Sequence, residues 1–92
     1  MAQRERLLET LLAMQPELRT KTLEELKTDI AVNLKNIRKS LNIAQEKLAL
    51  EAGVDRTFVS KIERGIGNPS LEVLLRLANR LGVSVADLLA TN

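Results

Sequence analysis

QEKLALEAGVDRTFVSKIER, residues 45–64, reads as two short helices that meet at a tight turn. Residues 45–52 are predicted helical. Gly53 follows where a helix end needs a left-handed residue, a conformation glycine enters at little steric cost. Asp55 is a good N-cap for a second helix over residues 56–64. Ala49 is small where the two helices must approach closely. Leu48, Val54, Val59 and Ile62 are apolar where the pair must seat on the rest of a domain.

A helical wheel at about 100° per residue sorts residues 56–64 into two faces. Arg56, Thr57, Ser60, Lys61 and Arg64 span roughly 0–140°, whereas Phe58, Val59 and Ile62 occupy roughly 200–300°. One face anchors the helix and the other carries three cations and two hydroxyls. Such a helix fits the DNA major groove, where Arg or Lys pairs with guanine O6 and N7. An ordinary amphipathic helix with a solvated basic face satisfies the same wheel, so the wheel alone leaves both readings open.

Working outward, Gly65 to Pro69 is a loop. Ser70 caps a helix over 71–81, with Leu71, Leu74, Leu75, Ala78 and Leu81 on one face, and Gly82 stops it. Ser84 and Asp87 have the spacing of a capping pair for a last short helix ending near Ala90. Val83, Val85, Leu88 and Leu89 suit either a core or a dimer contact. Arg76 and Arg80 are expected on a solvated face. Upstream, Thr22 and Glu25 form a capping-box signature. Leu23, Leu26, Ile30, Leu34, Ile37 and Leu41 then recur at steps of three and four, predicting a helix that buries that face. Residues 3–14 predict a further amphipathic helix with Leu7, Leu8, Leu11 and Leu12 as its stripe, ended by Pro16. The expected fold is all-α, a helical extension over 1–21 followed by a five-helix domain over 22–92.

Composition narrows the chemistry. The 92 residues contain no His and no Cys, which removes the commonest general base, thiolate chemistry and disulfides. No phosphate-cradling GxxxxGK[ST] loop is present, and the adjacent Glu24 and Glu25 do not face one site on a helix. An enzyme, a metal centre and a cofactor are therefore not expected. No stretch has the roughly 20 apolar residues of a membrane span, and no secretory leader is evident, so a cytoplasmic location is expected. The net charge is only +2, but residues 34–64 alone carry +3. The excess positive charge thus sits around the two-helix segment, as an anion-binding face requires.

The pattern resembles the Xre/Cro/C1 helix-turn-helix family of phage repressors and bacterial regulators. The residues that carry the likeness are Gln45, Leu48-Ala49, Ala52-Gly53-Val54, Val59-Ser60-x-Ile62-Glu63-Arg64-Gly65, Asn68-Pro69-Ser70-Leu71 and Leu81-Gly82-Val83-Ser84-Val85 with Leu88-Leu89. The match runs from about Ile30 to Leu89. Asp55-Arg56-Thr57-Phe58-Val59-Ser60 with Ile62-Glu63-Arg64-Gly65 is most similar to controller proteins of restriction–modification systems. The resemblance implies sequence-specific double-stranded DNA binding and transcriptional regulation by a homodimer on palindromic half-sites. It implies that Arg56, Thr57, Ser60 and Lys61 face base edges or nearby phosphates. Gln45 is implied at a phosphate, with Arg64 and the Gly65–Asn68 loop beside the backbone. Arg38 and Glu63 match an internal salt bridge. Lys35 and Lys39 are phosphate candidates that a solvated surface explains equally well.

Two features depart from the family. Ala44 precedes Gln45 where Ser or Thr often caps the helix, an expected loss of about 1 kcal/mol. The family also has no counterpart for residues 1–21, whose leucines are expected to pack on this domain or on a second subunit. A different class of function, a protein-interaction or antitoxin-type module, uses the same fold. The face of residues 56–64 argues against it, because interface cores are depleted in charge and enriched in aromatics.

Overall fold

A computed structural model describes residues 2–14 and 21–92. They form α1 (Ala2–Met14), α2 (Leu23–Ser40), α3 (Gln45–Ala52), α4 (Arg56–Glu63), α5 (Leu71–Leu81) and α6 (Val85–Leu89). The described residues contain no strand. Pro16, expected to end the first helix, lies outside the described residues.

The helix starts follow from their caps. Thr22 Oγ1 accepts the Glu25 N–H at 3.2 Å, Asp55 accepts those of Thr57 at 2.8 Å and Phe58 at 3.3 Å, and Ser70 accepts that of Val73 at 3.1 Å. Ser84 and Asp87 form a reciprocal capping box. Between α3 and α4, Gly53 sits at φ +70° and turns the chain through the left-handed region.

The core lies among α2 to α6. Leu34, Leu48, Val59, Ile62, Leu77 and Leu88 are its most enclosed side chains. Leu88 is therefore core, with Val83, Val85 and Leu89 packed half-buried against it. Asn33 of α2 ties the chain end down by donating to the carbonyls of Leu88 at 2.9 Å and Ala90 at 2.8 Å.

Several expectations are corrected. Leu23 and Leu41, at the two ends of the α2 stripe, are exposed, while Ile30 and Leu34 between them are buried in the core. Leu71 and Leu75 are exposed as well, and α5 instead seats Leu74, Leu77, Ala78 and Leu81. The wheel thus had the α5 face rotated. Arg76 and Arg80 are not merely solvated. Arg76 Nη1 donates to the Gly53 carbonyl at 3.1 Å, and Arg80 grips Glu51 at 2.7 and 3.0 Å, so both join α5 to the α3 region. The α1 leucines do not join the core.

After α4 the chain folds back over the helix end, where the N–H groups of Ile66 and Gly67 donate to the Lys61 carbonyl at 3.1 and 3.0 Å. A Cβ on Gly67 would lie 2.9 Å from the Ile62 nitrogen and 3.1 Å from its Cα. Backbone cannot step aside as a flexible side chain can. Gly67→Ala is expected to lower unfolding stability by about 1–2 kcal/mol, read as a reduced urea midpoint.

Candidate nucleic-acid interface

α4 is held by its apolar side. Val59 and Ile62 are buried and Phe58 is half-buried against the core. The opposite side therefore faces outward, with Arg56, Thr57, Lys61 and Arg64 exposed and Ser60 half-buried. The side chains of Arg56, Thr57 and Lys61 make no hydrogen bond among the described residues. Arg64 Nε makes a long one, 3.4 Å, to the Ser60 carbonyl. Asn68 is exposed in the loop beyond, and Lys35 and Lys39 are exposed on α2.

Beneath this surface lies a polar cluster that fixes α4 to α2. Arg38 Nε donates to Glu63 Oε2 at 2.6 Å and Nη2 to Oε1 at 2.8 Å, a bidentate pair with side chains 10% and 3% exposed. Arg38 Nη1 also donates to the Ile43 carbonyl at 2.7 Å, which pins the turn between α2 and α3. Gln45 Nε2 donates to Glu63 Oε1 at 3.0 Å, adding the start of α3. One carboxylate thus gathers the ends of three helices. Burial pushes the Glu63 carboxyl up, but the Arg38 hydrogen bonds, the Gln45 amide and the charges of Arg38 and Lys35 outweigh it and hold the group below its ordinary value. The same pairing raises the Arg38 guanidinium against the effect of its burial.

Sequence reasoning missed the Gln45 bond. The resemblance implies a phosphate role for this side chain, and the bond to Glu63 uses one of its amide's two N–H donors. No local spacing signals that bond, because Gln45 and Glu63 lie 18 residues apart in the chain. The first peptide N–H groups of α3 remain available, because Ala44 supplies no side-chain cap. A concavity walled by Arg38, Lys39, Asn42, Ile43 and Ala44 reaches the residue that precedes α3. Helix N-termini favour anions. Ala44 already has the extended cap conformation, φ −70° and ψ 152°. Ala44→Ser is therefore expected to raise stability by about 1 kcal/mol, measured as an increased denaturant midpoint at unchanged slope.

A helix-turn-helix family model matches residues 34–88. The chain is 48% identical over 48 residues to the control protein C.BamHI of Bacillus amyloliquefaciens, covering 52% of this chain and 59% of that protein. Among solved structures it is similar to the restriction–modification controller protein C.AhdI of Aeromonas hydrophila. There the TM-score is 0.65 at 34% identity, over 67% of this chain and 94% of that one. It is also similar to the biofilm regulator SinR, solved in complex with DNA, with a TM-score of 0.64 at 37% identity over 66% of this chain and 98% of that one. Among the described residues no helix is long and apolar enough to cross a membrane.

Proposed function

The chain belongs to the helix-turn-helix family, and from that premise we propose that it is a sequence-specific double-stranded DNA-binding regulator of transcription, of the restriction–modification controller kind. The observation that carries the reading is the outward face of α4. It holds Arg56, Thr57 and Lys61 free of protein partners among the described residues, on a helix whose other face and far end are fixed. A rigid helix loses little freedom on docking, so its cations are placed for groove readout at low entropic cost. The likeness to C.BamHI, C.AhdI and DNA-bound SinR supports the same conclusion.

In this reading Arg56, Thr57, Ser60 and Lys61 meet base edges. Lys35, Lys39, Arg64, Asn68 and the open N-terminus of α3 at Gln45 meet phosphates. Gln45 contributes its backbone N–H while its side chain stays on Glu63. Phosphate contacts set the register and release counterions, and base contacts choose the sequence. The protein acts as a homodimer in the cytoplasm, on half-sites about 34 Å or 10 base pairs apart. The exposed Leu71 and Leu75 of α5 offer it an apolar contact surface. No cofactor and no catalytic step enter the reading.

Binding to duplex DNA from upstream of its own gene tests this, with a shuffled duplex as control, at about 50 and 200 mM salt. The expected result is a cognate preference of about 10³-fold or more, and an affinity that falls steeply with salt. Equal, weak binding to both duplexes would move the assignment to a protein-interaction module.

A further inference from the structure

α4 is held by directional bonds at its far end, where Arg38 and Gln45 grip Glu63. Its near end carries Arg56 and joins α3 through Gly53, Val54 and Asp55. Val54 and Phe58 pack half-buried against the core there. Apolar contact is non-directional, so it sets the depth of the helix and leaves its tilt and rotation loose. Asp55 caps α4 from within, and its cap bonds tie the helix to no other element. A directional bond from outside is needed at this end, and α5 supplies it.

Arg76 of α5 donates from Nη1 to the Gly53 carbonyl at 3.1 Å. Among the described residues it is the one side chain from another element that bonds to residues 53–55. A Cβ on Gly53 would stand 3.4 Å from the same nitrogen, so the guanidinium lies directly on the turn. Its other arm, Nη2, donates to Glu72 Oε1 at 2.8 Å, one helical turn earlier. The rigid fork is thus oriented from its own helix, with one arm left for the carbonyl. Charge favours the same placement. α3 has no basic residue in its last turn, and Glu51 sits there at the negative end of the helix dipole. Arg76 at the C-cap residue and Arg80 on Glu51 bring two cations from α5 to that end.

We propose that Arg76 is a positioning residue for DNA readout, holding the α3–α4 turn through the Gly53 carbonyl and so aiming Arg56 at base edges without touching DNA itself. The inference rests on the DNA-binding reading of α4 and deepens it. Bidentate pairing to guanine needs its side chain placed within about 0.5 Å, so a turn that rocks weakens base readout. Phosphate contacts carry no sequence information and survive such rocking through flexible side chains. Arg76 therefore governs specificity rather than affinity in general.

Anisotropy titrations of the native chain and Arg76→Ala on cognate and shuffled duplexes test this. The variant is expected to bind the cognate duplex about three- to tenfold more weakly and the shuffled duplex as before, with its salt dependence unchanged. In an Arg56→Ala background the same substitution is expected to add almost nothing, because the residue it aims is gone. An equal loss on both duplexes with a shallower salt dependence would make Arg76 a phosphate contact. That result, an unchanged cognate preference, or losses that add to those of Arg56→Ala overturn the proposal. A native chain with no cognate preference sinks the DNA-binding reading instead, and amide hydrogen exchange then still reports whether Arg76 holds the turn. The Val54 N–H donates to the Ala49 carbonyl at 2.9 Å across that turn. Arg76→Ala is expected to speed its exchange by about threefold or more and to leave Leu34 of α2 unchanged. Unchanged exchange at Val54, or an equal rise at Leu34 from a general loss of stability, overturns the proposal.

Discussion

Arg38→Ala will remove about 3–5 kcal/mol of unfolding stability, the cost of leaving one member of a buried ion pair without its partner. Glu63 then keeps only the Gln45 amide, and the Ile43 carbonyl loses its donor. A domain of this size has only some 5–15 kcal/mol in total, so the melting temperature should fall by more than about 10 °C. Replacing both partners by apolar residues, Arg38→Met with Glu63→Leu, should recover most of the loss, because neither charge is then buried. Calorimetry of the single and double variants checks this. A double variant no better than Arg38→Ala would show that the shape of the cluster, not its charge balance, holds α4.

The same pair sets an acid limit. Glu63 titrates below its ordinary value in the folded chain. Its contribution is complete above the unfolded carboxyl's pKa of about 4.3 and is lost as pH falls through the lower folded value. Asp29 is also held low, chiefly by its hydrogen bond from Lys21, and Asp87 by the Ser84 backbone N–H, so they act in the same direction. Comparing the stability of the native chain with that of Glu63→Gln from pH 6 to pH 3 isolates the Glu63 share. The variant's slope should be shallower.

Arg56→Ala will weaken binding to the cognate site by about 1–3 kcal/mol, roughly 5- to 150-fold, and leave binding to a shuffled duplex nearly unchanged. Arg56 is the first residue of α4, exposed and without a protein partner among the described residues. The N-terminal residues of a recognition helix are those that reach base edges. Folding should be unaffected, because Asp55 still caps the helix through backbone N–H groups. Anisotropy titrations on both duplexes decide the matter. An equal loss on both would make Arg56 a phosphate contact and pass base readout to Thr57 and Lys61.

Much of the fold was legible because it rests on local rules. Thr22, Asp55, Ser70 and Ser84 cap the helices the sequence predicts, and Gly53 and Gly82 end them in the left-handed region. The polarity of α4 was equally local, since a strip of cations opposite Val59 and Ile62 leaves only one side to bury. The errors fell where a helix meets its neighbours. Leu71 and Leu75 were assigned inward because leucine is apolar. Leu77 took the core place because α5 approaches α3 along its other flank, held there by Arg80 and Glu51.

The sequence by itself thus determined the helices, their boundaries, the turn and the chemical character of the exposed α4 face, all consequences of backbone geometry and side-chain spacing within a few residues. Only the tertiary structure decided that Gln45 turns its amide toward Glu63, that Arg76 and Arg80 bind α5 to the α3 region, and that the α1 leucines stand clear of the core. Each of those depends on which groups are left without a partner once the helices have packed, and a hydrogen bond or an apolar contact across 18 or 29 residues has no signature in local periodicity.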